Sequence, residues 1–382
     1  MAAINLLIPG PTPLPPAVRE AMAAAMINHR GEEFGQTLHA VLGGLQQIFR
    51  TASPILPFTA SGSGGLEAAV TNVLSPGDRV LALSCGHFGE RFAAVAATFG
   101  ADVVKEEVEW GRGIDPQQVQ DALHRHQGTK AVLVTHNETS TGVANDLQAI
   151  AEAVRPSGAL LLVDAVSSLG AIDLWTDAWG LDLVVTASQK ALMGPPGAAF
   201  VSVGPRAWEA VTASRMPKHY FSFTQARDQL TTTHAYTPFT PAMSVIFALE
   251  VSVAMILKAG VDAHIAHHRR LAQTTREGIT ALGLTLFALP SRASDAVTAV
   301  RLPRGVDGKE LLRRLRTQHG IVLAGGQGRL ENEIFRIGHM GYVQEEQLVA
   351  ALGALKRVLL ELGYAGGKEG AAEAAAQDLG RR

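Results

Sequence analysis

Short apolar, β-branched runs alternate with longer stretches of helical spacing through the first half of the chain. Residues 55–60, 79–84, 101–108, 130–135, 159–165, 181–187 and 198–203 read as strands, each bounded by Gly, Pro or charge. Between them, apolar positions three and four apart predict helices over 36–50, 65–74, 91–99 and 146–155, with another starting at Asp115-Pro116 and capped by Asp115. Pro15-Pro16 opens an earlier helix running from Val18 to Ile27. Repeated strand–helix units of this kind predict an α/β fold, a mostly parallel sheet covered on both faces. Ligands of such sheets gather at the carboxyl ends of the strands.

The pattern changes after about residue 215. Residues 218–242 are rich in Thr, Phe, Tyr and His without periodicity, which predicts a long functional loop. Helices follow over 243–258 and 262–282, then strands near 284–289 and 296–302, a helix at 308–319, strands near 321–324 and 333–337, and a helix at 344–362. Grouped helices with hairpin-like strand returns suggest a smaller α+β domain. The division expected is a large domain over 15–260 and a small one from 1–14 with 261–365. The Ala-, Gly- and charge-rich tail 366–382 is expected to be disordered.

Composition narrows the class. Of 382 residues 47% are hydrophobic and 18% charged, and Lys+Arg 33 nearly balance Asp+Glu 35. No net field draws this chain to nucleic acid or an anionic membrane, and Pro, Gly or charge breaks every long apolar stretch before it could span one. The single cysteine, Cys85, gives no internal disulfide and no cysteine-cluster metal site. The 13 histidines show no HExxH spacing, so no metal is expected, and His267-His268 read as surface or packing residues. The first residues lack the basic start of a targeting segment.

Three stretches at strand ends carry chemistry. Leu181-Asp-Leu-Val-Val-Thr-Ala-Ser-Gln-Lys190 ends a buried strand on a lysine, just before Gly194-Pro-Pro-Gly197. Such a lysine either snorkels to solvent or is there for its amine. Leu160-Leu-Leu-Val-Asp164 closes an apolar strand on a carboxylate, either a cap or the partner of something cationic. Ser61-Gly-Ser63-Gly64-Gly65-Leu-Glu leads from a strand through a Gly/Ser turn into a helix, either a flexible turn or an anion cradle of backbone N–H groups. An amine, a carboxylate and a phosphate cradle on neighbouring strand tips are the three groups that pyridoxal phosphate requires.

In order along the chain, Ser61-Gly-Ser-Gly-Gly-Leu-Glu-Ala-Ala, Thr135-His-Asn-Glu-Thr-Ser-Thr-Gly-Val143, Val163-Asp-Ala-Val-Ser-Ser-Leu-Gly170 and Ser188-Gln-Lys-Ala-Leu-Met-Gly-Pro-Pro-Gly197 resemble the class V aminotransferases. The alanine–glyoxylate and serine–pyruvate branch is the most similar. Pro9-Gly-Pro-Thr-Pro and Phe335-Arg-Ile-Gly-His-Met-Gly341 extend the resemblance over about residues 5 to 345. It implies the type I fold of pyridoxal-phosphate enzymes. It also implies Lys190 as the residue that joins the cofactor, with Gln189 beside it, Asp164 at the pyridine nitrogen, and Val166 and Phe88 on the two ring faces. Thr139 would meet the ring hydroxyl, and Ser63, Gly64 and Gly65 the phosphate. The family often has a bulkier polar residue where Gly65 stands. Arg336 would clamp the substrate carboxylate. The loop Tyr236-Thr237-Pro-Phe-Thr240 would cross a homodimer interface to the partner's phosphate site, with Thr240 and less securely Thr237 as donors. Cysteine desulfurase chemistry is not expected, because Cys85 lies early in the sheet and the late loop 324–329 has no cysteine.

With no targeting segment or membrane span evident, a cytoplasmic enzyme is the default expectation, and the resemblance implies an aminotransferase moving the amino group of alanine or serine to an oxo acid such as glyoxylate or pyruvate. The small donor follows because one arginine clamp is evident in the sequence and no second. Other pyridoxal-phosphate reactions on the same motifs (lyase, decarboxylase, aminophosphonate or ureido-acid transaminase) stay open. A non-catalytic scaffold would have no use for Lys190, Asp164 and Arg336.

Overall fold

The computed structural model describes residues 4–364 and 366. The chain begins with β1 (Asn5–Leu6), α1 (Pro16–Ala21) and α2 (Glu32–Phe49). Pro16 opens α1 because the first helical position has no intrahelical use for an N–H, but α1 ends at Ala21, short of the expected Ile27. Next come β2 (Ile55–Phe58), α3 (Gly62–Val73), β3 (Arg79–Ser84), α4 (His87–Thr98), β4 (Asp102–Glu107), α5 (Pro116–Arg125) and β5 (Ala131–Thr135). Asp115 caps α5 as its sequence predicts, accepting the Gln117 N–H at 2.9 Å. A small hairpin, β6 (Asn137–Glu138) and β7 (Val143–Ala144), leaves the tip of β5 ahead of α6 (Leu147–Val154), β8 (Leu160–Asp164), β9 (Leu183–Ala187) and β10 (Ala199–Val203).

These strands form a 7-stranded sheet in the order β2-β10-β9-β8-β5-β3-β4. Neighbours from β9 to β4 are parallel, and β10 runs against both of its neighbours. Because β2 and β9 both oppose β10, β2 points the same way as β9. The exits of β2, β3, β5, β8 and β9 therefore share one edge. β5, β8, β9 and β10 are buried at every position, as strands covered on both faces must be.

Two helices not expected from the sequence follow, α7 (Pro205–Ala213) and α8 (Phe223–Leu230). The second lies inside the segment 218–242 read as loop. Ser222 accepts the Gln225 N–H to start it, while Phe223 and Ala226 turn one face into the core. So short a helix, anchored by two apolar residues, leaves no periodicity to read. α9 (Met243–Ala259) and α10 (Val261–Ala281) meet at 89°. The bend sits at Gly260, whose φ of +91° side-chain-bearing residues rarely adopt. One sheet face packs against α2, α5, α6 and α9, the other against α3, α4, α7 and α8.

The remaining elements are β11 (Val297–Arg301), α11 (Gly308–His319), β12 (Ile321–Val322), β13 (Ala324–Gly325), β14 (Ile334–Gly338) and α12 (Glu345–Glu361). Residues 284–289, expected as a strand, touch β11 through one isolated bridge, Leu286 to Val300. The expected strand 321–324 divides: β12 pairs in parallel with β1, and β13 pairs with β14. A third apolar cluster joins Leu7 to Leu271, Leu311, Phe335 and Leu355, so the first residues pack with the last elements. The expectation for the tail lies, Gly366 apart, outside the described residues. Among the described residues no single helix is long and apolar enough to cross a membrane.

Packing of α2 on α9 makes opposite demands on two adjacent glycines. A methyl group at Gly43 would meet nothing within 4 Å, whereas one at Gly44 would overlap Val253 Cγ1. Gly43→Ala is expected to stabilise the fold by about 0.5–1 kcal/mol by restricting the unfolded chain. Gly44→Ala should destabilise it by about 1–3 kcal/mol through overpacking. Urea denaturation of both variants checks the pair.

Candidate active site

Lys190 lies three residues past the tip of β9, in a loop that Ser188 holds closed. Ser188 donates its hydroxyl to the Pro195 carbonyl at 2.5 Å, and its own carbonyl accepts the Gly194 N–H at 3.0 Å. The N-terminal arm covers the lysine from the other side. Thr12 donates its N–H to Gln189 O and its hydroxyl to Lys190 O, both at 3.2 Å, and Lys190 Nζ donates to Pro9 O. Gly10, at φ +114°, makes the room: a Cβ there would sit 2.6 Å from Nζ. Burial lowers the lysine pKa to about 8. Asp164 opposes that shift, and the like charges of Arg336 and Arg91 add to it.

Asp164 ends β8, where its Oδ1 accepts the Val166 N–H at 2.9 Å. Burial raises its pKa to about 6, with Val166 N–H, Lys190 and Arg91 pulling it down and Glu138 pushing it up. The two strand-end groups therefore share one field. Asp164 is a carboxylate held at 5% exposure, coupled to Lys190 and Arg91 but with no cation at ion-pair distance among the described residues.

α3 starts at Gly62, and its first helical bond runs from Gly65 N–H to Ser61 O at 3.2 Å. The N–H groups of Gly62, Ser63 and Gly64 precede that bond and have no intrahelical acceptor. This corrects the expected cradle. Gly65 does not supply a donor: its N–H is engaged, and a Cβ on it would lie 2.7 Å from Val185 Cγ1. Position 65 faces the sheet, which is why nothing bulkier fits there. Gly62, absent from the expected set, belongs in it, and its own α-carbon packs against Val166, whose Cγ2 lies 2.6 Å from where a Cβ would stand.

Phe88 occupies the first turn of α4, half-buried, with the Arg91 guanidinium 4.7 Å over its ring. Arg91, which the sequence reading missed, reaches Ser63 Oγ at 3.3 Å and so joins the stacking ring to the anion cradle. Nothing but its i+3 spacing from Phe88 signalled it. Thr139 is buried, its hydroxyl 2.8 Å from Ser167 Oγ. Arg336, 5% exposed on β14, donates Nε to Gly325 O at 2.9 Å and Nη1 to Thr139 O at 3.1 Å and to Gln327 Oε1 at 3.2 Å. Burial lowers its pKa to about 10, which Glu138 partly offsets.

The interfacial loop divides. Thr237 is buried and donates its hydroxyl to Phe239 O at 2.6 Å, so it is turned into its own loop and does not fit the expected donor role toward a partner. Thr240 is exposed. Cys85 is buried beside Asn145. His268, with 0% exposure, accepts the Gly341 N–H at 2.9 Å as a packing residue. Among the described residues no group of three or more His, Cys, Asp or Glu could hold a metal.

The residues present fit pyridoxal phosphate. Free helix N–H groups beside Ser63 offer a phosphate site. The buried Gln189 Oε1 has no hydrogen-bond partner among the described residues. The amine of Lys190, the carboxylate of Asp164 and the guanidinium of Arg336 converge from three separate elements. In the cofactor-free protein, the depressed lysine pKa acts against the fold below about 8, and that cost is relieved between about 8 and the ordinary 10.5. Capture of pyridoxal phosphate by cofactor-free protein, followed by visible absorbance, should speed up with pH with a midpoint near 8, because only the neutral amine attacks. A midpoint near 10 would show an ordinary solvated lysine.

Comparison with known proteins shows the family. The sequence pattern of the family described as aminotransferase class-V matches residues 4–347. A Synechococcus protein named soluble hydrogenase, small subunit, is 44% identical over 97% of this chain and 97% of its own. The L-aspartate–glyoxylate aminotransferase of Paracoccus denitrificans is 37% identical over 94% of this chain and 91% of its own. The crystal structure of an alanine–glyoxylate aminotransferase from Nostoc sp. superimposes with a TM-score of 0.90 at 30% identity, covering 94% of this chain and 96% of that one. With the family pattern spanning nearly the whole described chain, this protein belongs to the class V aminotransferases.

Proposed function

We propose that this aminotransferase uses pyridoxal phosphate to move the amino group of a small amino acid, alanine or serine, to a 2-oxo acid such as glyoxylate or pyruvate. The observation that carries the reading is the convergence of one buried guanidinium, Arg336, on the Lys190–Asp164 pair. When bound, the cofactor supplies an electron sink for the carbanion at the substrate Cα. Arg336 fixes the α-carboxylate and so aims the Cα–H at Lys190. The neutral Lys190 amine takes that proton and returns it on the other side of the exchange. Asp164 would supply the negative charge for the ring nitrogen, and Phe88 and Val166 would bound the ring. The names of the Nostoc and Paracoccus proteins support glyoxylate as the acceptor. The single, buried cysteine gives no thiolate set for the cluster chemistry that the name of the Synechococcus relative would call for.

An acidic donor is a second reading with its own observation. The groups touching Arg91, Ser63 Oγ, His87 Nε2 and the Phe88 ring, carry no negative charge. A dicarboxylate such as aspartate requires a second cationic group, and Arg91, coupled to both Lys190 and Asp164, is the candidate for it. Thr240, exposed on its loop, fits a homodimer in which each subunit reaches the other's phosphate site.

Purified protein should absorb in the visible range with pyridoxal phosphate, and the band should shift on adding the true donor. Lys190→Ala should abolish both the lysine-linked band and turnover, and light scattering on the same preparation should give a dimer mass. Protein that binds no added cofactor would sink the reading. Arg336→Lys should lower kcat/KM for every donor by about 30-fold or more, since a buried charged pair of hydrogen bonds is lost. Steady-state rates with alanine, serine and aspartate against glyoxylate then name the donor. If aspartate is preferred, Arg91→Gln should lower kcat/KM for aspartate more than for alanine, beyond any loss of cofactor affinity common to both donors.

A further inference from the structure

α4 has no capping side chain of its own, because its N-cap residue is Gly86. Its first bond within the helix runs from Glu90 N–H to Gly86 O at 3.1 Å, so the N–H groups of His87, Phe88 and Gly89 need partners from elsewhere. All three find them on one segment. His87 N–H donates to Ser140 Oγ at 2.9 Å, and the N–H groups of Phe88 and Gly89 both donate to Glu138 Oε2 at 3.0 Å. The other carboxylate oxygen of Glu138 accepts the Ser140 N–H at 3.1 Å and its hydroxyl at 2.6 Å. Glu138 is 0% exposed and has no cationic partner within ion-pair distance among the described residues. A Cβ at Gly86 would overlap Glu138 and come within 2.6 Å of Ser140 Oγ, so the carboxylate stands where a capping side chain would otherwise go.

We propose that Glu138 is a positioning residue: with Ser140 it caps α4 from outside the helix and thereby sets where Phe88 and Arg91 stand against the cofactor site. The proposal rests on the reading that this site takes pyridoxal phosphate. Phe88 gives its own N–H to the carboxylate, so the backbone from which the ring projects is pinned there. Thr139, between the two capping residues, gives its carbonyl to Arg336 and its hydroxyl to Ser167. One three-residue segment thus ties the stacking ring, the substrate clamp and the loop after Asp164 to a common anchor. A buried carboxylate accepting N–H groups at a helix start also lies where the helix dipole favours negative charge.

Glu138→Gln keeps the size but replaces one acceptor oxygen by a donor. Titration of cofactor-free protein with pyridoxal phosphate, followed by intrinsic fluorescence, should show the dissociation constant raised about tenfold or more. The visible circular dichroism of the loaded variant should change as the stacking geometry loosens. Val119→Ala, a core change on α5 remote from this segment, serves as the stability control, and it should lower the melting temperature without moving either readout. A Glu138→Gln protein with wild-type affinity and wild-type visible dichroism overturns the proposal, whatever its melting temperature. Should that variant fail to fold, Ser140→Ala decides: a dissociation constant raised about threefold supports the cap, and an unchanged one overturns it. Wild-type protein that binds no cofactor would count against the functional reading instead, so the two failures are distinct.

Discussion

A lysine amine, an aspartate carboxylate and an arginine guanidinium are held largely out of water where the strand exits of the large sheet meet β14, and the rest of the structure is built around that placement. Removing charged groups from water is unfavourable unless other charges and dipoles replace the solvent. Here the replacement is partial. Asp164 offsets the desolvation of Lys190 but does not cancel it, and the lysine is left able to lose its proton near neutral pH. Asp164 in turn is held above the usual carboxylate range. Both groups are thus poised for a ligand that carries a cationic ring nitrogen and an aldehyde, which is the chemistry of the proposed cofactor.

Holding such groups in register takes elements far apart in the chain. The parallel strands set the positions of Asp164 and Lys190, since β8 and β9 pair directly and end at the same edge. The arm Pro9–Thr12 closes over Lys190 through three hydrogen bonds, and β14 brings Arg336 in from the C-terminal part. The hairpin segment 138–140 is where these meet, because its atoms bond to α4, to Arg336 and to Ser167 at once. Rigidity of this kind suits a site whose work is orientation.

Much of this was legible in the chain. Asp164 closes an apolar strand and Lys190 follows a largely apolar, β-branched one, so their placement at strand ends comes from local pattern and from the rule that ligands collect there. Arg336 was visible only through its motif, since an arginine flanked by Ile and Phe on a strand has no local mark of function. Gly65 was misread because a Gly/Ser turn does not disclose at which residue the helix begins. One residue of register separates an N–H that faces a ligand from one bonded to Ser61. α8 went unread for want of a second turn of apolar residues.

The sequence by itself determined the order of strands and helices, the βα class of fold and the chemical groups at the strand tips, because these follow from period, capping and residue type over short spans. Only the tertiary structure decided that Arg91 stands beside Ser63, that Thr237 turns its hydroxyl inward and that Glu138 caps a helix starting 51 residues earlier. Each of those is a contact between distant segments. Which oxygen meets which N–H is settled by how the layers pack, and no local pattern records it.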